Sequence, residues 1–144
     1  MKKLLFTLLA LIILFSVQAQ ILNPVTFDYS TVKKNDNLYE VHIKANIQSK
    51  WHIYSVNNPA GGAQATEIKF KEGKIVGPVK EKGKMKTVYE KEFQTNQKYF
   101  ETTVDFVQLL KLNGGNKISG TITYMVCNDK QCLPPKDVEF KIKM

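Results

Sequence analysis

Two cysteines are the residues of this sequence best suited to covalent chemistry. Cys127 and Cys132 are the only cysteines in the 144-residue chain, and four residues separate them. Strand-like patterns at 118–126 and 138–142 flank the pair, and turn or strand-breaking residues lie between these patterns at Asn128-Asp129 and Pro134-Pro135. This arrangement predicts two thiols facing each other at the tip of a hairpin, as either a structural staple or a redox pair.

The short spacing makes the bridge a weak staple. A disulfide that closes a loop of about six residues stabilises the fold by only about 2 kcal/mol before strain. Disulfide exchange, by contrast, needs an attacking thiolate and a second thiol that resolves the mixed disulfide, and a pair at an exposed tip can supply both. Lys130 would favour a thiolate and Asp129 would oppose it. These residues alone support a structural bridge and a redox role about equally.

Metal binding and hydrolysis are weaker alternatives. A zinc site would draw on two sulfurs and two imidazoles, from Cys127, Cys132, His42 and His52. The two histidines lack the close spacing of a zinc motif, and nothing indicates an oxyanion hole or a third residue that would orient a Cys-His pair. We therefore expect neither a metal nor a cofactor; in the redox interpretation, the cysteines themselves would carry the electrons.

The first 19 residues have the pattern of a signal peptide. Lys2-Lys3 precedes an apolar run at 4–15 that is too short to span a bilayer comfortably, and small residues lead to a cleavage site after Ala19. An uncleaved N-terminal anchor is the alternative. The mature chain, 20–144, contains no second apolar run, so we expect one exported domain without a membrane span, large enough for its own core.

Charge argues against nucleic acid as a partner. The chain carries a formal net charge of +8, and all of its basic residues are lysines. Specific phosphate and base recognition relies on the bidentate fork of arginine. The alternating lysines at 80, 82, 84 and 86 are predicted to form the solvated face of one strand, where they would protect a sheet edge.

Hydrophobic alternation with a period of two predicts an all-β fold. It runs through 39–47, 67–71, 102–106, 118–126 and 138–143, with turn residues at short intervals. Segment 106–110 could form a single helical turn and no more. Many short strands with frequent turns indicate an immunoglobulin-like antiparallel β-sandwich.

Three local segments stand out within this scaffold. Residues 51–54, Trp-His-Ile-Tyr, are expected to pack in the core with a tyrosine at its rim. Residues 88–93 could form an exposed loop that carries Phe93, or an edge strand with Phe93 buried. Residues 57–62 are expected to form a long turn.

Taken together, these residues resemble a known family. The aromatic strand at 51–54, the Glu92-Phe93 pair and the ending Cys-x4-Cys-Leu-Pro-Pro at 127–135 are similar to the N-terminal periplasmic domain of the DsbD thiol:disulfide interchange proteins. The resemblance covers about 25–143, and the cysteine ending is its most specific part. The spacing between the cysteines is one residue shorter than in the best-known members.

The resemblance implies a role for each site residue. Cys132 would form mixed disulfides and Cys127 would resolve them. Phe93, next to Glu92, would shield the pair until a partner displaces it. Tyr54 and, more loosely, His52 match the strand beneath the hairpin. An acidic residue of the best-known members falls on Lys91 here, so Glu90 or Glu92 would have to replace it.

The resemblance also implies partners and location. Family domains work in the periplasm, where they relay electrons to thioredoxin-fold proteins such as a disulfide isomerase or the thioredoxin of cytochrome c biogenesis. Because the sequence ends at Met144, we expect a stand-alone domain whose membrane electron donor is encoded separately. The direction of electron flow is left open. The alternative function is a non-enzymatic exported β-sandwich binding module with a structural hairpin disulfide.

Overall fold

The computed structural model describes residues 22–144, so the predicted signal peptide lies outside the described part of the chain. Every regular element in this part is a β-strand. The strands are β1 (Val25–Lys33), β2 (Leu38–Ile47), β3 (His52–Tyr54), β4 (Glu67–Phe70), β5 (Lys74–Gly83), β6 (Lys86–Glu90), β7 (Thr95–Phe100), β8 (Thr103–Lys111), β9 (Lys117–Cys127) and β10 (Cys132–Lys143).

The strands form two antiparallel sheets. One has the order β1-β2-β8-β5, and the other has the order β10-β9-β3-β7-β6, with β4 also paired to β9. These two sheets confirm the predicted all-β, immunoglobulin-like sandwich. Between residues 22 and 144, the structure contains no helix of the length and apolarity needed to cross a membrane.

The core lies between the sheets and follows the alternation in the sequence. On β2, Val41, Ile43 and Ala45 are buried, while Lys44 between them is exposed. On β9, every second residue from Ile118 to Val126 is buried. Burial of apolar surface contributes roughly 25 cal/mol per Å², so these inward faces supply most of the stabilisation that fixes the strand register.

The expectation of a helical turn at 106–110 was wrong, because β8 runs through it. Phe106, Val107 and Gln108 are buried in succession, which removes the alternation that marks a half-exposed strand. Val107 is the residue that breaks the pattern, because it lies on the outer face between its register partners His42 of β2 and Lys80 of β5. Gln108 points inward like Phe106, and its amide donates to the carbonyl oxygens of Val76 (3.2 Å) and Gly77 (3.1 Å).

The expectation of one strand carrying lysines 80 to 86 was also wrong. Lys80 and Lys82 lie on β5 in the first sheet, whereas Lys86 begins β6 in the second. The chain crosses between the sheets beside Gly83, where a β-carbon would lie 2.8 Å from the carbonyl oxygen of Thr103. A side chain would therefore not fit at this crossing, and alternation of charge alone could not reveal it.

The strand after the cysteines begins earlier than expected, at Cys132 instead of 138. The prolines at 134–135 lie at a register shift between Leu133 and Lys136. Because β10 is at the edge of its sheet, the missing proline N–H groups leave no neighbouring strand unpaired. Cys132 is therefore held by strand pairing and not by a free loop.

Candidate functional site

The two cysteines close the hairpin formed by β9 and β10. Cys127 and Cys132 are register partners across the strands and form a disulfide, with their Cα atoms 4.0 Å apart. The connecting turn is fixed by Asn128, whose side-chain oxygen accepts hydrogen bonds from the backbone N–H groups of Lys130 and Gln131, both at 2.9 Å. The hairpin therefore keeps the two residues opposite each other whether or not the bond is closed.

The two sulfur-bearing residues differ sharply in exposure. Cys127 is only 2% exposed and forms a small cluster with Tyr54 and Ala63 on the outer side of the sheet. Cys132 is exposed. An incoming protein thus meets Cys132 first, while Cys127 is enclosed by the domain.

The aromatic strand β3 lies directly beside the buried cysteine. His52 is the register partner of Cys127, and Ile53 is the partner of Val126. Opposed residues of an antiparallel pair point to the same face, so the His52 and Cys127 side chains share the outer face. Tyr54 was expected at the rim of the core. This expectation was wrong, because its side chain is fully buried.

His52 is held by two aromatic neighbours. Its Nε2 lies 3.1 Å from the hydroxyl of Tyr54, and its ring stacks on Tyr99 with the centroids 4.3 Å apart. Burial lowers the pKa of His52, partly offset by the nearby carboxylates of Glu101 and Asp129. Burial also raises the pKa of Tyr54 well above its usual range, so this hydroxyl stays protonated.

The segment that carries Phe93 combines both expected arrangements. It begins as the edge strand β6 and ends in a turn, 91–94, that leads into β7. Phe93 is half-buried and packs on the Cys127 cluster together with Tyr99 and Met125. The structure thus brings Phe93, Tyr54, His52 and both cysteines to one place.

Glu92, by contrast, is exposed on the turn, as is Lys91. Glu90 is partly buried and lines the same groove as the cysteines. Burial raises the pKa of Glu90, and repulsion from Glu92 adds to that shift. The family resemblance left Glu90 and Glu92 as possible replacements for the acidic residue of the best-known members. Of these two, Glu90 is the one that is partly buried beside the site.

The loop after β3 is more than a long turn. The buried amide of Gln97 accepts hydrogen bonds from the Asn58 side chain (2.8 Å) and from the backbone N–H of Ala63 (3.0 Å). These bonds hold Ala63 against Tyr54 and Cys127. Ala63, Gln97 and Tyr99 were not identified from the sequence as residues of the site. Of the three, only Tyr99 could have been noticed from the sequence, as part of a Tyr-Phe pair at the end of β7.

A groove of about 890 Å³ opens in front of the disulfide. Its lining includes Trp51, His52 and Tyr54 together with residues 127–132 of the cysteine hairpin. Charges of both signs line it, from Lys50, Glu90, Glu92, Glu101, Asp129 and Lys130. Carboxylates outnumber lysines four to two in this lining, and the exposed Cys132 lies on the same groove.

The four residues considered for zinc do not come together. His42 lies on β2 of the other sheet, where its ring nitrogens contact Asp105 (2.7 Å) and Glu40 (3.2 Å). His52 and the two cysteines lie on the sheet that does not contain β2. The two-histidine zinc alternative is therefore wrong as a ligand set.

Comparison with solved structures gives the same fold. The chain is similar to the Neisseria meningitidis DsbD N-terminal domain in the reduced form (17% identity, TM-score 0.59, covering 82% of this chain and 85% of that one). It is also similar to the N-terminal periplasmic domain of ScsB from Proteus mirabilis (16%, 0.56), covering 85% of this chain and about half, 52%, of that one.

A third similar structure is the complex between the DsbD N-terminal and the PilB N-terminal domains from Neisseria meningitidis (19% identity, TM-score 0.59, 85% of this chain and 87% of that one). At these identities the structural likeness establishes the fold. Among curated protein sequences, none matches this chain.

The family itself is established by sequence. Residues 18–143 match the family model described as the N-terminal part of the thiol:disulfide interchange protein DsbD. A cysteine pair joined across a hairpin is the chemistry that thiol–disulfide exchange requires. The match covers nearly the whole sequence and confirms the resemblance drawn from the cysteine ending, so this chain belongs to the family of DsbD N-terminal domains.

Proposed function

We propose that this domain exchanges disulfides with protein partners in the periplasm, with Cys132 forming the mixed disulfide and Cys127 resolving it. The observation that carries the proposal is the difference between the two residues, one exposed and one only 2% exposed. A partner sulfur would therefore meet Cys132 at the surface, whereas Cys127 is enclosed by its neighbours.

The exchange conserves electrons in either direction. When the domain is oxidised, a partner thiolate attacks the Cys132 sulfur, a new bond joins the two proteins, and Cys127 leaves with the electron pair of the broken bond. A second partner thiol then attacks the partner's bridged sulfur and releases reduced Cys132. When the domain is reduced, Cys132 attacks a partner disulfide, Cys127 then displaces the partner, and two electrons pass to that partner.

The remaining assignments follow from the same site. Phe93 shields the pair, with Glu92 beside it on the turn, and Tyr54 and His52 support Cys127 from β3. The packing of Phe93 on the Cys127 cluster supports the shielding role. A docking partner would displace Phe93 and expose the bridge. The disulfide would then be accessible only when a partner disulfide protein is present.

The comparisons support the partners and the location proposed here. One similar structure is a DsbD N-terminal domain in complex with a PilB N-terminal domain, and another is a periplasmic domain of ScsB. Together with the predicted signal peptide, cleaved after Ala19, they favour a periplasmic domain that exchanges with thioredoxin-fold proteins.

The test uses a thioredoxin variant that retains only its attacking cysteine, activated as a mixed disulfide with thionitrobenzoate. Cys127→Ser should accumulate a stable link between the two proteins, whereas Cys132→Ser should form almost none. Wild-type protein should form the link and then release thioredoxin as Cys127 resolves it. The opposite pattern for the two serine variants would exchange the roles of the cysteines.

A redox titration against glutathione separates this function from a structural bridge. Structural disulfides have potentials below about −300 mV and resist reduction by glutathione. An exchanging pair should lie above that value. A bridge below it, in a protein whose partner binding survives the loss of both cysteines, would favour the binding-module alternative.

A further inference from the structure

The buried sulfur poses a problem of charge. Each time the disulfide opens by attack on Cys132, Cys127 leaves as a thiolate. Cys127 is 2% exposed and packs among Tyr54, Ala63, Phe93, Tyr99 and Met125, which are apolar or aromatic side chains. An uncompensated charge in such a place is costly, so a proton or a hydrogen-bond donor must be available on the domain side of the bridge.

His52 is the side chain placed to meet this need. It is the register partner of Cys127 on the adjacent strand, and such partners have β-carbons about 4.5–5.5 Å apart on the same face. The ring cannot turn away freely, because it stacks on Tyr99 and its Nε2 is 3.1 Å from the Tyr54 hydroxyl. If the buried hydroxyl donates to Nε2, the proton of the neutral ring lies on Nδ1.

We propose that His52 is the proton-transfer group of the buried sulfur: it donates a proton to the Cys127 thiolate as the bridge opens and takes it back as the bridge closes. This inference rests on the exchange function proposed above. In the opening step, the Cys132–Cys127 bond breaks, its electron pair remains on Cys127, the proton moves from imidazolium to sulfur, and solvent in the groove reprotonates the ring.

The surroundings of His52 suit both directions of transfer. Tyr54 contacts it along β3, Tyr99 and Glu101 face it from β7 and the residue that follows, and Cys127 and Asp129 face it from β9 and its turn. Burial lowers its pKa while the carboxylates of Glu101 and Asp129 raise it. The net effect is a lowered pKa, which favours the neutral ring that takes the proton back as the bridge closes, while the two carboxylates favour the protonated ring that donates it.

The test compares the rate at which dithiothreitol opens the bridge in wild-type protein and in His52→Gln, followed by acid quenching, alkylation and mass spectrometry. The quantity followed against pH is the wild-type rate divided by the His52→Gln rate. Ionisation of dithiothreitol affects both rates equally and therefore cancels in this ratio. We expect the ratio to rise about tenfold or more as pH falls through the pKa of His52. A ratio that does not change with pH would overturn the proposal, since a purely structural effect does not titrate.

His42 provides the matched control. It is the only other histidine in the chain, and it lies on the other sheet against Asp105 and Glu40. His42→Gln should therefore give a ratio near one at every pH. A pH-dependent ratio for this variant equal to that for His52→Gln would also count against the assignment.

An NMR titration of unsubstituted protein covers the case in which His52→Gln fails to fold. In the reduced form, the Hε1 resonance of His52 should show an extra inflection that follows ionisation of the Cys127 thiol, absent from the disulfide form and from His42. No extra inflection would overturn the proposal. If dithiothreitol does not open the bridge of wild-type protein at any pH, both the exchange function and this inference are wrong. If the bridge opens but the ratio of wild-type to His52→Gln rates does not change with pH, only the role of His52 is wrong.

Discussion

At the scale of single residues, the chemistry of this domain depends on how differently the fold treats two identical side chains. The hairpin fixes Cys127 and Cys132 as opposite partners, yet one is enclosed by side chains from β3, β7 and the 91–94 turn while the other faces solvent. Because alkylation and exchange both need access to a thiolate, the same asymmetry should govern either reaction.

This asymmetry can be measured directly in the reduced protein. A short pulse of iodoacetamide should modify Cys132 at least about tenfold faster than Cys127, since access to the buried thiol requires local opening of its cover. Peptide mass spectrometry at several quench times gives the two rates.

The control for this measurement is Cys132→Ser, in which Cys127 should remain slow. Fast modification of Cys127 in that variant would mean that competition with Cys132, and not burial, had protected it. Equal rates in wild-type protein would remove the observation on which the assignment of roles rests.

At the scale of elements, the proposed shield is the turn at 91–94 between β6 and β7. Phe93 is half-buried on the Cys127 cluster. Its truncation to alanine loses roughly 1.5 kcal/mol of apolar burial, which makes the closed turn about tenfold less favoured. We expect Phe93→Ala to speed opening of the bridge by dithiothreitol by about that factor.

Tyr89→Ala is the matched control for the cover. Tyr89 is an aromatic residue of the adjacent strand β6, but its side chain is 58% exposed. Its loss should leave the rate of bridge opening unchanged. Similar acceleration by both variants would show that general loosening of β6 is responsible, and would remove the special role of Phe93.

A buried amide holds the part of the loop after β3 that packs on Cys127. Gln97 accepts bonds from Asn58 and from the backbone of Ala63 and is itself fully buried. Gln97→Ala would leave the Ala63 N–H without its partner, which costs about 1–3 kcal/mol. We expect a lower free energy of unfolding in urea, with little change for Gln48→Ala, whose residue is exposed. Equal stability of Gln97→Ala and wild type would contradict this account.

At the scale of the whole molecule, the sequence predicted the features that are local. The alternation of β2 and β9, the hairpin and the cysteine ending each lie within a few residues, so the sandwich and its family could be inferred. The errors all concern contacts made across the fold. The strand at 106–110 was obscured by Val107, an outward residue buried between β2 and β5, the lysine row by the crossing at Gly83, and the start of β10 by a bulge on an edge strand.

The site was predictable in part for the same reason. The aromatic strand, Phe93 and the cysteines could be identified from their residue types and their spacing. Ala63 and Gln97 do not, because their importance comes from where the chain is folded against itself. The pairing of His52 with Cys127 likewise depends on a strand register between residues 75 positions apart, which alternation alone does not define.

The chain crosses between the two sheets at five of its strand connections, and a carboxylate holds one of these crossings. Between β4 of the second sheet and β5 of the first, Glu72 accepts hydrogen bonds from the backbone N–H (2.6 Å) and the hydroxyl (2.9 Å) of Ser119 on β9. Gly73, the next residue, has a φ of +79° that favours glycine. The turn is thus held by one ionised side chain and one special backbone position.

This crossing predicts a pH dependence of stability. The backbone N–H of Ser119 lowers the pKa of Glu72 below its ordinary value, with nearby lysines adding to that effect. A carboxyl whose folded-state pKa is lowered stabilises the fold above its unfolded-state pKa, and this contribution disappears as pH falls through the folded-state value. Glu72→Gln should therefore cost about 1 kcal/mol at neutral pH, allowing for solvent screening, and progressively less in acid.

Urea unfolding of the wild type and Glu72→Gln across the acid range gives the measurement. Glu67→Gln is the control, because Glu67 is an exposed carboxylate that pairs with the exposed Lys69 (3.1 Å), and its variant should differ little from wild type at any pH. A stability difference for Glu72→Gln that persisted undiminished in strong acid could not come from the ionised carboxylate. It would instead have to come from altered packing of the turn, and the link between the sheets would then not depend on charge.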